Sequence, residues 1–313
     1  MVAKIALIIL IVVEQFSIFS SIRPKVADFL KNYNFYKEEI VVVQNPESQS
    51  SKNEFILEIP SLPQKSPHYT EMSIQANSSL VVDKKIGNIL FSKNENQPLK
   101  IASLTKIMTA IVVLKNSSLD QVVTVSGLYP LPEDNMGITN GEQIKVEDLL
   151  HGLLIGSAND AAVALAIWLA GSVEGFVEMM NNEAKNLDLD NTNFTNPTGF
   201  DYPDGGYSTV HDLAKLVRFA LNNEKFREIV GKQFYIAESV DKNIIHSIST
   251  TNWLLDNQLV FGVKTGKTAG AGECLIALAK SNKNEIIAIV LKSPDRFGET
   301  RKLINWTFNS YQW

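Results

Sequence analysis

Segments with the pattern of β-strands lie at both ends of the region after residue 73, and segments with the pattern of helices lie between them. Near the start of this region, residues 79–83 and 88–91 flank a turn that contains Gly87, as in a β-hairpin. Near its end, three more apolar runs have strand character: residues 259–263, 274–279 and 286–291. The sequence therefore predicts an α+β fold, in which distant segments complete one antiparallel sheet that is flanked by helices.

The central part of the chain has helical periodicity. Apolar side chains recur at helical spacing in several segments: residues 104–114, 146–155, 161–169, 173–187 and 213–220. Ser208 is placed to cap the last of these helices, and a final helix is predicted over residues 300–311. Because most of the helices fall between the two groups of strands, we expect a helical subdomain inserted into the sheet domain.

The N-terminus differs from the rest of the chain. Lys4 precedes an apolar run, residues 5–13, which has the length of a signal-peptide core and is too short to span a bilayer. Glu14 interrupts the apolar pattern, which then resumes, so residues 5–22 together could just span a membrane. We therefore expect residues 1–22 to be a signal peptide or an N-terminal membrane anchor, with a buried N-terminal element as the alternative. Export is favoured, and cleavage stays open.

Residues 23–73 are expected to form an extracytoplasmic stalk or linker. They contain a polar, turn-rich stretch over residues 45–53, followed by three closely spaced prolines. Residues 74–313 then form the globular domain. Because this domain extends to the last residue, Trp313, we expect any membrane anchor to be N-terminal.

Composition argues against several classes of function. A net charge of −5 gives no basic face, so we expect no nucleic-acid partner. The four histidines are scattered, and no Cys/His spacing is typical of a metal site, so we expect neither a metal nor another cofactor. The single cysteine, Cys274, excludes an internal disulfide, and its apolar neighbours favour a buried strand residue over a reactive thiol.

A serine and a lysine stand three residues apart at the start of a predicted helix. This spacing puts the hydroxyl of Ser103 and the amine of Lys106 on one helical face. Ser103 would also lie near the partly positive backbone N–H groups of the helix N-terminus. A buried lysine can lose its proton and serve as the base that activates a serine. The alternative is an ordinary N-cap serine, since Ser239 and Lys242 repeat the spacing where no helix is predicted.

A second motif, Ser157-Ala158-Asn159, lies between two helical segments. A loop there could point both polar side chains into a cleft. The serine could relay a proton, and the amide could hold a substrate carbonyl or position the lysine. A cap at a helix junction is the alternative.

The third motif, Lys264-Thr265-Gly266, follows an apolar strand. Lysine and threonine on a strand could grip a substrate carboxylate, while glycine lets the substrate backbone approach closely. Residues 262–268 are also similar to a phosphate-binding loop. That loop needs four residues between its glycines and a helix afterwards, whereas three residues and a further strand are found here. The nucleotide-binding interpretation therefore fails.

The order of the three motifs is more specific than any one of them. It is the motif set of serine penicillin-binding proteins and class A β-lactamases. The chain resembles most closely the D-alanyl-D-alanine carboxypeptidases among the low-molecular-mass penicillin-binding proteins, serine peptidase family S11. The resemblance covers roughly Ser73 to Trp313 and is carried by residues 102–110, 147–150, 159–162, 196–199 and 306–308. It implies a fold of the β-lactamase/transpeptidase type and makes 74–313 the catalytic domain.

The resemblance also implies a role for each motif residue. Ser103 would attack the carbonyl between two D-alanines, and Lys106 would act as the general base. Water would then hydrolyse the acyl-enzyme. Ser157 would pass a proton toward the leaving amine, and Asn159 would orient the lysine or the peptide.

The substrate's terminal carboxylate would be steered by Lys264 and Thr265, the first two residues of the motif that Gly266 completes. The oxyanion would rest on the backbone N–H groups of Ser103 and Lys267. Arg296 falls where family members often carry a carboxylate-binding arginine, and a plain surface arginine is the alternative. The chain departs from the family at Ala158, where glycine is usual, and at Lys267, where an aromatic residue or histidine is common.

The implied partners are a peptidoglycan stem peptide that ends in D-Ala-D-Ala, β-lactams as inhibitors, and a membrane through the N-terminal segment. The expected location is the extracytoplasmic face of a bacterial cytoplasmic membrane, or outside the cell if the signal is cleaved. A D,D-endopeptidase, a class A-like β-lactamase and an inactive cell-wall-binding relative are the alternatives. The β-lactamase is disfavoured because no Glu-x-x-Leu-Asn occurs between Ser157 and Lys264. The intact motif set argues against an inactive relative.

Overall fold

The computed structural model describes residues 62–130, 134–202 and 205–313. These residues belong to one compact unit, Ser61–Trp313. The predicted signal or anchor over residues 1–22 lies outside the described residues, as does the predicted linker up to residue 61.

The strands follow one another along the described chain as β1 (Gln64–Lys65), β2 (Ser78–Asp83), β3 (Ile89–Lys93), β4 (Leu99–Lys100), β5 (Val122–Thr124), β6 (Gln143–Lys145), β7 (Tyr207–Ser208), β8 (Phe234–Glu238), β9 (Ile245–Ser249), β10 (Val260–Thr268), β11 (Gly272–Ser281), β12 (Asn284–Ser293) and β13 (Tyr311–Gln312).

The α-helices are α1 (Lys106–Asn116), α2 (Val146–Leu154), α3 (Asn159–Ala170), α4 (Val173–Asn186), α5 (Val210–Ala220), α6 (Glu224–Val230) and α7 (Arg296–Ser310). Two short 3₁₀ helices, Ala102–Thr105 and Trp253–Asp256, complete the regular structure of the described residues. In this part of the chain no single helix is long and apolar enough to cross a membrane. Helices α3 and α4 taken together have the length and composition for it, but they are bent by 88° at their junction.

The main sheet has five strands in the order β10-β11-β12-β2-β3, and every neighbouring pair is antiparallel. Strand β2 pairs with β12, so that Val82 lies opposite Ile287. The predicted sheet completed by distant segments is therefore confirmed. Five strands from the two ends of the described chain enclose a helical insertion, as the distribution of strand and helix patterns indicated.

Alternating side chains of the sheet enter two hydrophobic cores. Leu80 and Val82 face the larger core with α1 and the other inserted helices, whereas Val81 faces a smaller core. Leu303 and Ile304 of α7 cover that second face. Because both faces are covered, all six residues of β2 are buried, including its two serines and its aspartate.

Element boundaries differ from the sequence expectation at three places. The last helix begins at Arg296, with Asp295 as its N-cap, and not at residue 300. Helix α5 is capped by Thr209, whose hydroxyl accepts a bond from the N–H of Asp212, and Ser208 instead belongs to β7. Residues before 74 are also attached to the folded body, because β1 pairs with β13.

Candidate active site

Ser103 lies in a tight turn beside the edge strand β10. The turn is the 3₁₀ helix Ala102–Thr105, which leads directly into α1, so the predicted helix start is a 3₁₀ turn and not an α-helical N-terminus. A Cβ added to Gly199 would overlap the carbonyl of Ala102, and one added to Gly266 would lie 3.1 Å from the backbone nitrogen of Ser103. Two glycines from remote segments therefore make room for the serine's turn. At Gly266, the atoms that occupy the place of a side chain belong to the turn that carries Ser103.

The amine of Lys106 is the centre of the site. Its Nζ lies 2.8 Å from Ser103 Oγ, 2.8 Å from Asn159 Oδ1 and 2.8 Å from the carbonyl oxygen of Thr198. A neutral amine has two N–H donors and one lone pair. It can donate to the amide and carbonyl oxygens and accept the Ser103 hydroxyl proton. The three contacts therefore match the requirements of a neutral base.

The electrostatic surroundings favour that neutral form. Lys106 is completely buried, and desolvation lowers its pKa well below the ordinary value for lysine. The positive charge of Lys264 lowers the pKa further. The carboxylates of Asp134 and Asp160 act in the opposite direction, with smaller effects.

The turn between α2 and α3 supplies the second motif. Ser157 is buried, and its φ of 62° places it in the left-handed region, a conformation that brings α3 back toward α1. The backbone N–H of Asn159 donates to the carbonyl of Asp134 at 2.7 Å, while its side chain reaches Lys106. The carboxylate of Asp160 accepts bonds from the N–H groups of residues 136–138, which fixes the adjacent loop.

Strand β10 supplies the third motif. Lys264 and Thr265 are both buried, with 1% and 3% exposure. Burial is the main cause that lowers the pKa of Lys264, to about 7, and among the charges nearby Asp134 raises it while Arg296 lowers it. The hydroxyl of Thr265 lies 2.5 Å from that of Thr251, which comes from the segment after β9.

Arg296 and Lys267 lie at the outer end of the same strand. The Nη1 group of Arg296 donates to the carbonyl of Gly266 at 2.9 Å, which fixes this arginine beside the third motif. Lys267 is exposed, and its amine forms an ion pair of 3.0 Å with Glu273. Contacts thus join six of the predicted residues: Ser103, Lys106, Asn159, Lys264, Gly266 and Arg296. Thr265 and Lys267 follow on the same strand, the Lys267 side chain pairs with Glu273, and Ser157 is buried two residues before Asn159.

Three contributors were missed by sequence reasoning: the Thr198 carbonyl, the Thr251 hydroxyl and Asp134. The side chain of Asn196 accepts bonds from the N–H groups of Thr198 and Gly199, and this turn points the Thr198 carbonyl at Lys106. Asn-Pro-x-Gly is a turn signal that could have indicated an ordered loop. No local pattern marks the other two residues, because their role comes from contacts with remote segments.

No group of three or more His, Cys, Asp or Glu side chains within the described residues is arranged to hold a metal ion. Cys274 is buried on β11, and desolvation raises the pKa of its thiol to about 11. It is therefore a poor nucleophile, and the chemistry available to this cleft is that of a serine hydroxyl, two buried amines and an amide.

The sequence model of the D-alanyl-D-alanine carboxypeptidase family, peptidase S11, matches residues 64–295. The chain belongs to this family. A family member from Streptomyces sp. strain K15, a D-alanyl-D-alanine carboxypeptidase, is 33% identical over 260 residues, which are 76% of this chain and 89% of that protein. The D-alanyl-D-alanine carboxypeptidases DacF of Bacillus subtilis and DacD of Escherichia coli are 33% and 38% identical. The matches cover 78% and 74% of this chain but only 64% and 63% of those two longer family members.

Solved structures of similar proteins confirm the fold. The Streptomyces K15 DD-transpeptidase matches with a TM-score of 0.70 and 32% identity, over 76% of this chain and 99% of that one. Penicillin-binding protein D2 of Listeria monocytogenes, in its cefotaxime-bound form, matches with a TM-score of 0.68 and 30% identity, over 76% and 99%. The predicted family and the predicted fold of the transpeptidase type are both confirmed.

Proposed function

We propose that this protein is a serine D-alanyl-D-alanine carboxypeptidase that removes the terminal D-alanine from peptidoglycan stem peptides. The observation that carries the proposal is the contact of 2.8 Å between a completely buried lysine amine, Lys106, and the hydroxyl of Ser103. Because the pKa of Lys106 is lowered well below its ordinary value, its neutral amine can act as a base, and the serine beside it becomes an activated nucleophile. The names of the family members support the substrate class.

In the first half of the reaction, the lone pair of Lys106 takes the hydroxyl proton as Ser103 Oγ bonds to the carbonyl carbon of the penultimate D-alanine. The developing oxyanion accepts bonds from the backbone N–H groups of Ser103 and Lys267. The C–N bond then breaks, and the proton that Lys106 took passes through Ser157 to the leaving nitrogen, so that the amine leaves neutral and Lys106 is neutral again. Free D-alanine departs, and the rest of the peptide stays bound to Ser103 as an ester.

In the second half, water attacks the ester carbonyl and Lys106 accepts its proton. The bond to Ser103 Oγ breaks, Lys106 returns its proton to the serine oxygen, and the shortened peptide leaves with a new carboxylate. Lys264, Thr265 and Arg296 provide the positive and hydrogen-bonding groups for the substrate's terminal carboxylate.

Inhibition by β-lactams is part of the proposal. A β-lactam would acylate Ser103 by the same attack on a carbonyl. Penicillin-binding protein D2 of Listeria monocytogenes was solved in a cefotaxime-bound form, which supports a β-lactam as ligand for this fold. Residence at the extracytoplasmic face of the membrane, through the segment 1–22, is supported by the sequence of that segment.

The test is covalent labelling of the full chain by a fluorescent penicillin, with intact mass to locate the adduct. We expect labelling at Ser103 and none in Ser103→Ala. Labelling that persists unchanged in Ser103→Ala contradicts the assignment. An inactive cell-wall-binding relative would not be labelled at all.

A second candidate uses the same acyl-enzyme with a different partner. One family member is named a carboxypeptidase, and a solved structure from the same Streptomyces strain is named a DD-transpeptidase. Transfer to an amine, or cleavage of crosslinks as a D,D-endopeptidase, would need the same residues. Incubation with a pentapeptide and with a crosslinked dimer, followed by mass analysis of the products, separates these activities from hydrolysis of the terminal D-alanine.

A further inference from the structure

Two threonine hydroxyls share one hydrogen bond beside the third motif. Thr265 of β10 is buried, and its Oγ1 lies 2.5 Å from the Oγ1 of Thr251. Thr251 belongs to the turn between β9 and the second 3₁₀ helix, so the bond joins two separate segments of the chain. The motif set assigns Thr265 to the substrate carboxylate, whereas Thr251 lies outside all three motifs.

The backbone holds Thr251 between two walls of the site. Its N–H donates to the carbonyl of Ile155 at 3.3 Å, and Ile155 is the C-cap of α2, two residues before Ser157. The next residue, Asn252, is buried, and its N–H donates to the hydroxyl of Thr250 at 3.1 Å. These bonds fix the turn without the Thr251 hydroxyl, which is therefore left to act on Thr265.

The direction of the bond between the two hydroxyls decides what Thr265 can offer to a ligand. A hydroxyl group has one hydrogen and two lone pairs, and only one hydrogen can lie between two oxygens. If Thr265 donates to Thr251, its hydrogen is used within the protein, and a ligand meets only lone pairs. If Thr251 donates instead, Thr265 keeps its hydrogen for the ligand.

The charge of the substrate selects one of these two directions. An ionised carboxylate only accepts hydrogen bonds, so the lone pairs of Thr265 would repel it. The productive order is therefore Thr251 to Thr265 to carboxylate, in which each hydroxyl donates in the same direction. Hydrogen bonds in such a chain polarise and strengthen one another. A ligand without the carboxylate gains nothing from this order.

Resting on the proposed function, we propose that Thr251 is a positioning residue that donates to Thr265 and thereby directs the Thr265 proton to the substrate's terminal carboxylate. Thr251 then contributes to the preference for substrates that end in a free carboxylate, the end that a carboxypeptidase must recognise. Its contribution is that of one hydrogen bond, about fivefold in a binding or rate constant.

The test measures acylation of the full chain by benzylpenicillin and by benzylpenicillin methyl ester, which differ only in the carboxylate. Time-resolved intact mass gives the second-order rate constant for each. We expect Thr251→Val, which keeps the shape of the side chain, to lower the rate constant for benzylpenicillin about fivefold and to leave that for the ester nearly unchanged. Thr251→Ala should behave as Thr251→Val does, and Thr251→Ser should restore the wild-type ratio of the two constants.

Two further variants separate this role from a general loosening of the cleft. Thr250→Val removes the neighbouring hydroxyl, whose bond to the N–H of Asn252 lies within the same turn. It should change both rate constants equally or not at all, so that their ratio stays at the wild-type value. In a Thr265→Val background, Thr251→Val should have no additional effect, because the group through which Thr251 acts is already absent.

Three outcomes decide between the possibilities. A ratio that Thr251→Val and Thr251→Ala leave unchanged overturns the positioning role and leaves the proposed function intact. An effect of Thr251→Val that persists in the Thr265→Val background also overturns it, because Thr251 would then act on the ligand by another route. Absence of acylation of wild-type Ser103 by both β-lactams overturns the proposed function, and the role of Thr251 with it.

Discussion

Replacement of Lys106 by methionine tests the central claim about this site. Methionine keeps the length of the side chain and removes the amine that contacts Ser103 Oγ, Asn159 Oδ1 and the Thr198 carbonyl at 2.8 Å each. General base catalysis contributes roughly 10²- to 10⁴-fold to a reaction rate. We therefore expect penicillin acylation of Lys106→Met to slow by about this factor, which corresponds to roughly 3–5 kcal/mol of activation free energy.

Stability should change much less than activity. The variant leaves two acceptors without a donor, and each costs about 1–3 kcal/mol when it stays dry. The removal of a completely buried amine that is difficult to ionise offsets part of this cost. We expect a loss of about 2 kcal/mol or less in the free energy of unfolding, which is a fall of roughly 4–8 °C in Tm for a domain of this size.

The assay is time-resolved intact-mass analysis of acylation, with thermal unfolding measured on the same samples. Lys115→Met is the matched control, because this lysine on α1 is half exposed and pairs with Glu183, a residue with no contact to the site. It should acylate at the wild-type rate. If folded Lys106→Met is acylated within tenfold of the wild-type rate, Lys106 is not the base.

Two further predictions follow from the glycine at the nucleophile's turn and from the buried strand lysine. Gly199→Ala should destabilise the fold by about 3 kcal/mol or more and slow acylation, because its Cβ would overlap the Ala102 carbonyl. The control is Gly171→Ala, at a glycine with a similar positive φ and no atom within 4 Å of the added Cβ. In chemical denaturation this control should cost only about 1–2 kcal/mol of unfolding free energy, and its acylation should be unchanged. The pKa of Lys264 is lowered to about 7, so its ammonium is present below that pH and lost above it. The KM for a peptide that ends in a carboxylate should therefore rise as the pH increases through about 7. A KM that stays constant from pH 6 to 9 would contradict the role of Lys264.

Sequence patterns predicted the sheet, the helical insertion and the residues that meet in the cleft. The strands of the main sheet were predictable because each contains a short apolar run, and the motif residues were predictable because their order along the chain is unusual. The pKa of Lys106 could not be predicted in the same way. It depends on complete burial and on the charge of Lys264, which is remote in sequence and close only after folding.

The backbone conformation of the site could not be predicted from the sequence either. Ser157 and Ala102 both have positive φ, at 62° and 49°, although neither is glycine. Local preference disfavours such conformations, so they exist because the surrounding fold imposes them. Thr251 was missed for a related reason: its contact with Thr265 joins two segments, and nothing in either segment alone marks it.

The pairing of β2 with β12 has a consequence for folding. Strand β2 is among the first described elements along the chain, yet its partner comes about two hundred residues later. A chain truncated before β12 still contains the pair β10 and β11, but it lacks the strand that joins this pair to β2 and β3. Because β12 lies at the centre of the five-stranded sheet, completion of that sheet requires the closure of this long loop, a non-local step that is expected to be slow.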